Sequence, residues 1–101
     1  MAKPVLTLVT YQAKPGCEEE LAGVLRTHVA RLREFGLVAD RPHFVAQRAG
    51  TTNSFVESFW WTDEGSSALA HDHSEVQEVW MRVEDLCAKD GVVHTELVPL
   101  D

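Results

Sequence analysis

The 101-residue chain, 45% hydrophobic and 25% charged, is long enough for one domain (residues 1–101) that buries roughly 60–70% of its unfolded surface. Sixteen acidic residues against nine basic ones leave a net charge of −7, which repels a phosphate backbone, so nucleic acid is not an expected partner. No apolar run approaches the ~20 residues of a membrane span, and Met1-Ala2-Lys3-Pro4 leads straight into a strand pattern; no signal peptide or membrane partner is expected, and the default location is cytoplasmic.

Val5 to Ala13 alternates as a strand, with Val5, Thr7, Val9 and Tyr11 on one side and Leu6, Leu8 and Thr10 on the other. Lys14-Pro15-Gly16 stops it. A helix follows from near Cys17, with Glu18, Glu19 and Glu20 in its first turn and Arg31 and Arg33 late, the order a helix dipole favours. Leu21, Val24, Leu25, His28, Leu32 and Phe35 form its apolar face, and Gly36 is the expected C′ residue. His43 to Arg48 and Ser54 to Trp61 read as a hairpin. Thr62-Asp63 is expected to cap a short helix through Ala70. Ser74 with Gln77 has capping-box spacing for a longer helix carrying Val76, Val79, Trp80, Val83 and Cys87, ended by Asp90-Gly91. Val92 to Val98 is the last strand. Cys17 and Cys87 are expected to be free thiols.

The order βαββαβ predicts an α+β, ferredoxin-like fold: a four-stranded antiparallel sheet with both helices on one face. The first strand is apolar on both sides, and the third carries Val56 and Trp60 opposite Phe55, Phe59 and Trp61. Two helices cover one face, so the other is expected to meet a second copy of the chain in a homodimer.

Residues 53–74 are the richest stretch for chemistry. A strand delivers the carboxylate of Glu57 and the indoles of Trp60 and Trp61 close to a helix end bearing His71 and His73, and apolar walls with a few ionisable groups suit a small-molecule pocket. Phe55, Glu57, Phe59 and Trp61 share one strand face, and if that face looks at the helices Glu57 would meet His28, His71 or Trp80.

Lys14-Pro15-Gly16 leading into Glu18-Glu19-Glu20-Leu21, then Phe55-Val56-Glu57-Ser58-Phe59-Trp60-Trp61, then Ala68 to His71 and His73-Ser74, resemble the antibiotic biosynthesis monooxygenase-like family of small dimeric α+β barrels. The resemblance implies oxygenation of a phenolic, quinol- or polyketide-like aromatic without metal or flavin: the substrate is deprotonated and its carbanion meets dioxygen. That chemistry needs a slot for a planar ring, a base, and donors for a developing oxyanion. Glu57 and His71 are the candidate catalytic groups. Tyr11, His28, Phe59, Trp61, His73 and Trp80 are the candidate substrate-binding residues. The resemblance implies no cofactor, and no metal is expected from the residues either, because His71-x-His73 points its rings apart.

Plainer readings stand beside these. Glu57 could neutralise Arg48 across the hairpin, His28 could be a satisfied core histidine, and His71 or His73 could cap carbonyls. Trp60 and Trp80 could simply be core, and Tyr11 could be a rim residue with a wet hydroxyl. Two functional rivals remain: a ligand-binding or stress-response module without chemistry, and a haem degrader. The latter resemblance asks for a tryptophan, a following histidine and a first-strand asparagine; Trp61 and His71 fit, but Val5 to Ala13 contains no asparagine.

Overall fold

A computed structural model describes residues 3–100. The elements are β1 (Val5–Ala13), α1 (Glu18–Glu34), β2 (Phe44–Gln47), β3 (Ser54–Trp61), α2 (Ser66–His71), α3 (Ser74–Leu86) and β4 (Cys87–Leu97). The strands form one antiparallel sheet in the order β2-β3-β1-β4. This is the ferredoxin-like arrangement expected from the element order.

Register decides which side chains share a face. Val9 lies opposite Glu57 on β3 and His94 on β4, and Tyr11 lies opposite Phe55 and Val92. These residues, odd-numbered on β1 and β3 and even-numbered on β4, point toward the helices, where Leu21, Leu25, Val29 and Leu32 of α1 and Val76, Val83 and Leu86 of α3 close the core. The helical repeat of 3.6 residues puts Leu21, Leu25, His28 and Leu32 on one stripe, and Val29 joins it. Gly36 follows the helix with φ +75°, the left-handed C′ geometry that glycine adopts without a Cβ penalty.

The chain departs from the sequence expectations at three junctions. The capping residue of α3 is His73 rather than Ser74: its Nδ1 accepts from the Val76 N–H at 3.4 Å, and the side-chain amide of Gln77 donates to the His71 carbonyl. Asp63 does not cap a helix directly but organises the preceding turn, its Oδ1 accepting from the Gly65 N–H at 2.8 Å, so α2 begins only at Ser66.

The largest departure is at Asp90-Gly91, expected as a helix stop. Here α3 already ends at Leu86, and Cys87 pairs with Ala13 at the start of β4. The register of β1 against β4 shifts between Tyr11 and Ala13, and Asp90 at φ 58° lies in that irregularity. A Cβ at Gly91 would lie 2.7 Å from the Ala88 carbonyl oxygen and 2.8 Å from that of Gln12, so the glycine is required by close backbone approach at a bulge.

The second sheet face has no helix over it. Leu6, Leu8, Val56 and Trp60 are only partly covered, while Phe44 and Val93 are 51% and 54% exposed. Arg41 stacks its guanidinium 4.5 Å from the Trp60 ring. Among the described residues no helix is long and apolar enough to cross a membrane.

Candidate active site

Glu57 sits at the centre of the sheet and is 0% exposed. An isolated carboxylate there would be costly, yet three hydrogen bonds converge on it. The Tyr11 hydroxyl donates to Oε1 at 2.6 Å, and His28 Nδ1 lies 3.0 Å from both Oε1 and Oε2. On the far side of the imidazole, the Trp80 indole N–H donates to His28 Nε2 at 2.9 Å. The result is a four-residue relay, Trp80–His28–Glu57–Tyr11, with one member each from α3, α1, β3 and β1.

The donor inventory settles the protonation pattern. An indole nitrogen only donates, so Nε2 of His28 must accept and is unprotonated. Its proton is therefore on Nδ1 and donates to Glu57, which also accepts from Tyr11 and so is a carboxylate. The relay thus holds one buried negative charge beside a neutral imidazole.

Burial first, and the adjacent Glu57 charge second, raise the Tyr11 hydroxyl well above its ordinary pKa of 10.0. The stability contributed by the neutral phenol is fully present below pH 10 and is lost as the pH rises from there through the raised folded value. Urea denaturation of the wild type should therefore show falling stability in the alkaline range, and Tyr11→Phe should flatten that fall. Equal alkaline slopes in the two proteins would refute the assignment.

Against the relay lies a cavity of about 280 Å³ between sheet and helices. Val9, Tyr11, Phe59, Trp61, Val92 and His94 form its sheet side, and His28, Ser67, His71, Trp80, Val83 and Glu84 its helix side. Phe59 and Trp61 meet edge to face at 4.9 Å, and His71 meets Trp80 at 4.8 Å. The Trp61 indole nitrogen is buried without a hydrogen-bond partner among the described residues. A larger, more open groove of about 520 Å³ runs between α1 and β2 past Glu18, Arg26 and Gln47, away from the relay.

The candidate residues therefore separate. Tyr11, His28, Phe59, Trp61, His71 and Trp80 gather at one cavity. Glu57 does not reach it: the carboxylate is sealed behind Tyr11 and His28 and touches a ligand only through them. His73 is not part of the site. Its ring stacks on Phe35 at 4.1 Å while capping α3. The Arg48 alternative for Glu57 also falls, since Val45 stands opposite Glu57. Tyr11 is no wet rim residue either, being 4% exposed. His94, Glu84 and Ser67 were not among the candidate binding residues. The alternation Val92, His94, Glu96 carried a usable signal for His94, whereas Glu84 and Ser67 needed the helix orientations. No group of three or more potential metal ligands lies together among the described residues.

No family model matches the chain. No curated protein matches it in sequence. Solved structures do. SnoaB, a cofactor-independent oxygenase from Streptomyces nogalater, superposes with a TM-score of 0.80 at 16% identity, covering 99% of this chain and 96% of its own. PA3566 from Pseudomonas aeruginosa gives 0.80 at 22% identity, covering 100% and 98%. A structure described as an antibiotic biosynthesis monooxygenase gives 0.79 at 11% identity, covering 96% and 99%. Several of the neighbours are thus described as antibiotic biosynthesis monooxygenases or, for SnoaB, as a cofactor-independent oxygenase, and at these identities what this chain shares with them is the fold.

Proposed function

We propose that the protein is a cofactor-independent monooxygenase acting on a small planar phenol, hydroquinone or anthrone, with His28 as the base. The observation that carries this is the relay at the cavity wall. Glu57 holds His28 in the Nδ1–H tautomer, as the carboxylate of a catalytic triad holds its imidazole. A proton taken on Nε2 would make His28 and the buried Glu57 carboxylate an ion pair 3.0 Å apart.

For an anthrone bound as its enol, His28 takes the hydroxyl proton and leaves the same ring-delocalised carbanion that loss of one methylene proton gives. Its electrons reduce dioxygen as a carbon–oxygen bond forms, and the peroxide so formed takes a proton. Loss of the second methylene proton with cleavage of the oxygen–oxygen bond yields a carbonyl and water. A methylene and dioxygen thus give a carbonyl and water, with both oxygen atoms accounted for. The unpartnered Trp61 N–H is available to an oxygen that gains negative charge during these steps.

Oxygen uptake with a panel of anthrones and hydroquinones tests the reading. Ligand-dependent changes in tryptophan fluorescence without oxygen uptake would instead favour a binding module. That rival draws on one observation: each hydrogen-bonding atom named in the relay already has a partner. Haem is poorly suited, since a cavity of about 280 Å³ without a lysine or arginine in its lining offers neither the room nor the partners for two propionates.

We also infer a homodimer through the uncovered sheet face, supported by the exposed Phe44, Val93 and Leu97 around Leu6, Leu8 and Trp60. Sedimentation should give twice the chain mass of 11.3 kDa, and Leu8→Lys at the middle of that face should shift it to monomer. A wild-type monomer at micromolar concentration would overturn the inference. Both cysteines are free, which fits a reducing, cytoplasmic setting.

A further inference from the structure

Trp80 occupies an unusual position for an aromatic side chain in so small a core. It is only partly buried, it lines the cavity, and its single polar atom is spent on His28 Nε2. The other imidazole nitrogen is held by Glu57, so Nε2 is the atom through which His28 can act on a ligand. In the free protein that atom is covered.

We propose that Trp80 is the specificity gate of the cavity: a ligand is accepted when its own hydroxyl replaces the indole N–H at His28 Nε2. The inference rests on the reading of His28 as the base and adds the ligand class it selects, an uncharged, weakly acidic hydroxyl on a small planar ring.

Three observations define that class. First, the exchange is donor for donor. Nε2 is an acceptor fixed by the tautomer, so a ligand offering only acceptors leaves the Trp80 bond in place and gains nothing there. Second, the cavity is small. About 280 Å³ lies just under the roughly 300–1,000 Å³ of small-molecule sites, which suits a planar ligand of up to about three fused rings. Third, the wall disfavours anions. Glu84 is in the lining, the Glu57 carboxylate lies behind it, and His71 and His94 are the lining residues besides His28 that can carry positive charge.

His71 is the neighbour that keeps the gate in place. It packs on the Trp80 ring from α2 while His28 holds the indole nitrogen from α1. Movement of the indole therefore requires loss of a hydrogen bond and an edge-on aromatic contact, both of which a bound aromatic hydroxyl can replace.

Three matched probes separate the outcomes with the full chain: 1-naphthol, its methyl ether 1-methoxynaphthalene, and the anion 1-naphthoate. Affinities are titrated, and the Trp80 indole N–H resonance is followed in proton–nitrogen correlation spectra, assigned with Trp80→Phe. The naphthol should bind and move that resonance. The ether should bind roughly tenfold or more weakly, because one hydrogen bond at a buried acceptor is missing. The naphthoate should not compete. Trp80→Phe should hold or gain affinity for the naphthol and keep the naphthol-to-ether ratio, since no donor then has to be displaced.

Equal binding of naphthol and ether, naphthol binding with an unmoved Trp80 resonance, no naphthol binding at all, or an equal loss for both probes in Trp80→Phe would each overturn the gate. The first and third outcomes need no variant, and the second uses one only to assign the resonance. Oxygen uptake separates this inference from the reading beneath it. The expected naphthol pattern without uptake from anthrones leaves the gate and removes the monooxygenase; uptake with an unmoved Trp80 does the reverse.

Discussion

Replacing Glu57 with alanine is expected to lower the free energy of unfolding by about 2–5 kcal/mol, a large share of the roughly 5–15 kcal/mol that holds a small domain together. Among the described residues the carboxylate is the sole acceptor for the Tyr11 hydroxyl and the His28 Nδ1–H, so its removal strands two buried donors and leaves a void between sheet and α1. Urea denaturation at a fixed protein concentration measures the loss. Glu57→Gln should fall between wild type and alanine. It keeps the volume and one acceptor oxygen, but its amide N–H groups face groups that already donate. The decisive comparison is the triple variant Glu57→Leu, His28→Leu, Tyr11→Phe, in which no donor is stranded. Buried polar clusters are often replaceable by apolar residues with no loss of stability, so the triple should be more stable than Glu57→Ala alone. A triple variant as unstable as the single one would mean that the relay is there to hold the fold rather than to move a proton.

His28→Gln is expected to reduce oxygen uptake with a responsive anthrone or hydroquinone by roughly 10²–10⁴-fold, the usual contribution of a general base. Glutamine can still hydrogen-bond toward Glu57, so circular dichroism and sedimentation should stay close to wild type. His71→Gln serves as the internal control. His71 is exposed and touches the relay only through its edge contact with Trp80, so its replacement should cost much less. If His71→Gln causes the large loss and His28→Gln does not, the base is His71 and the relay is a structural brace. Both variants are compared at the same pH and at saturating ligand, so that a change in binding is not mistaken for a change in the proton-transfer step.

The backbone plan and which side chains share a strand face were determined by local sequence alone; which of the two faces meets the helices was decided by the tertiary structure. Period-2 alternation sets strand faces and 3.6-residue spacing sets helix faces, and both are properties of a few adjacent residues. They placed Glu57, Phe59 and Trp61 together on β3, and His28 among the core positions of α1. The uncovered second sheet face followed from the same count of two helices against four strands.

Tertiary structure decided the pairings. Glu57 had Arg48, His28, His71 and Trp80 as potential partners, and no local pattern chooses among groups 9 to 29 residues away in the chain. The crossing of α1 over β3 brings His28 Nδ1 to both carboxylate oxygens, and α3 then places Trp80 on the other ring nitrogen. The same packing removed His73 from the site, because a single hydrogen bond to Val76 turns that ring away to cap a helix. It also converted Asp90-Gly91 from a helix stop to a strand bulge, because the sheet partner Gln12 approaches there more closely than a Cβ would allow. Propensity sees one segment at a time. A hydrogen-bonded relay drawn from two helices and two strands exists only once long-range register and helix crossing are set, and that is why the candidate residues were legible in the sequence while their roles were not.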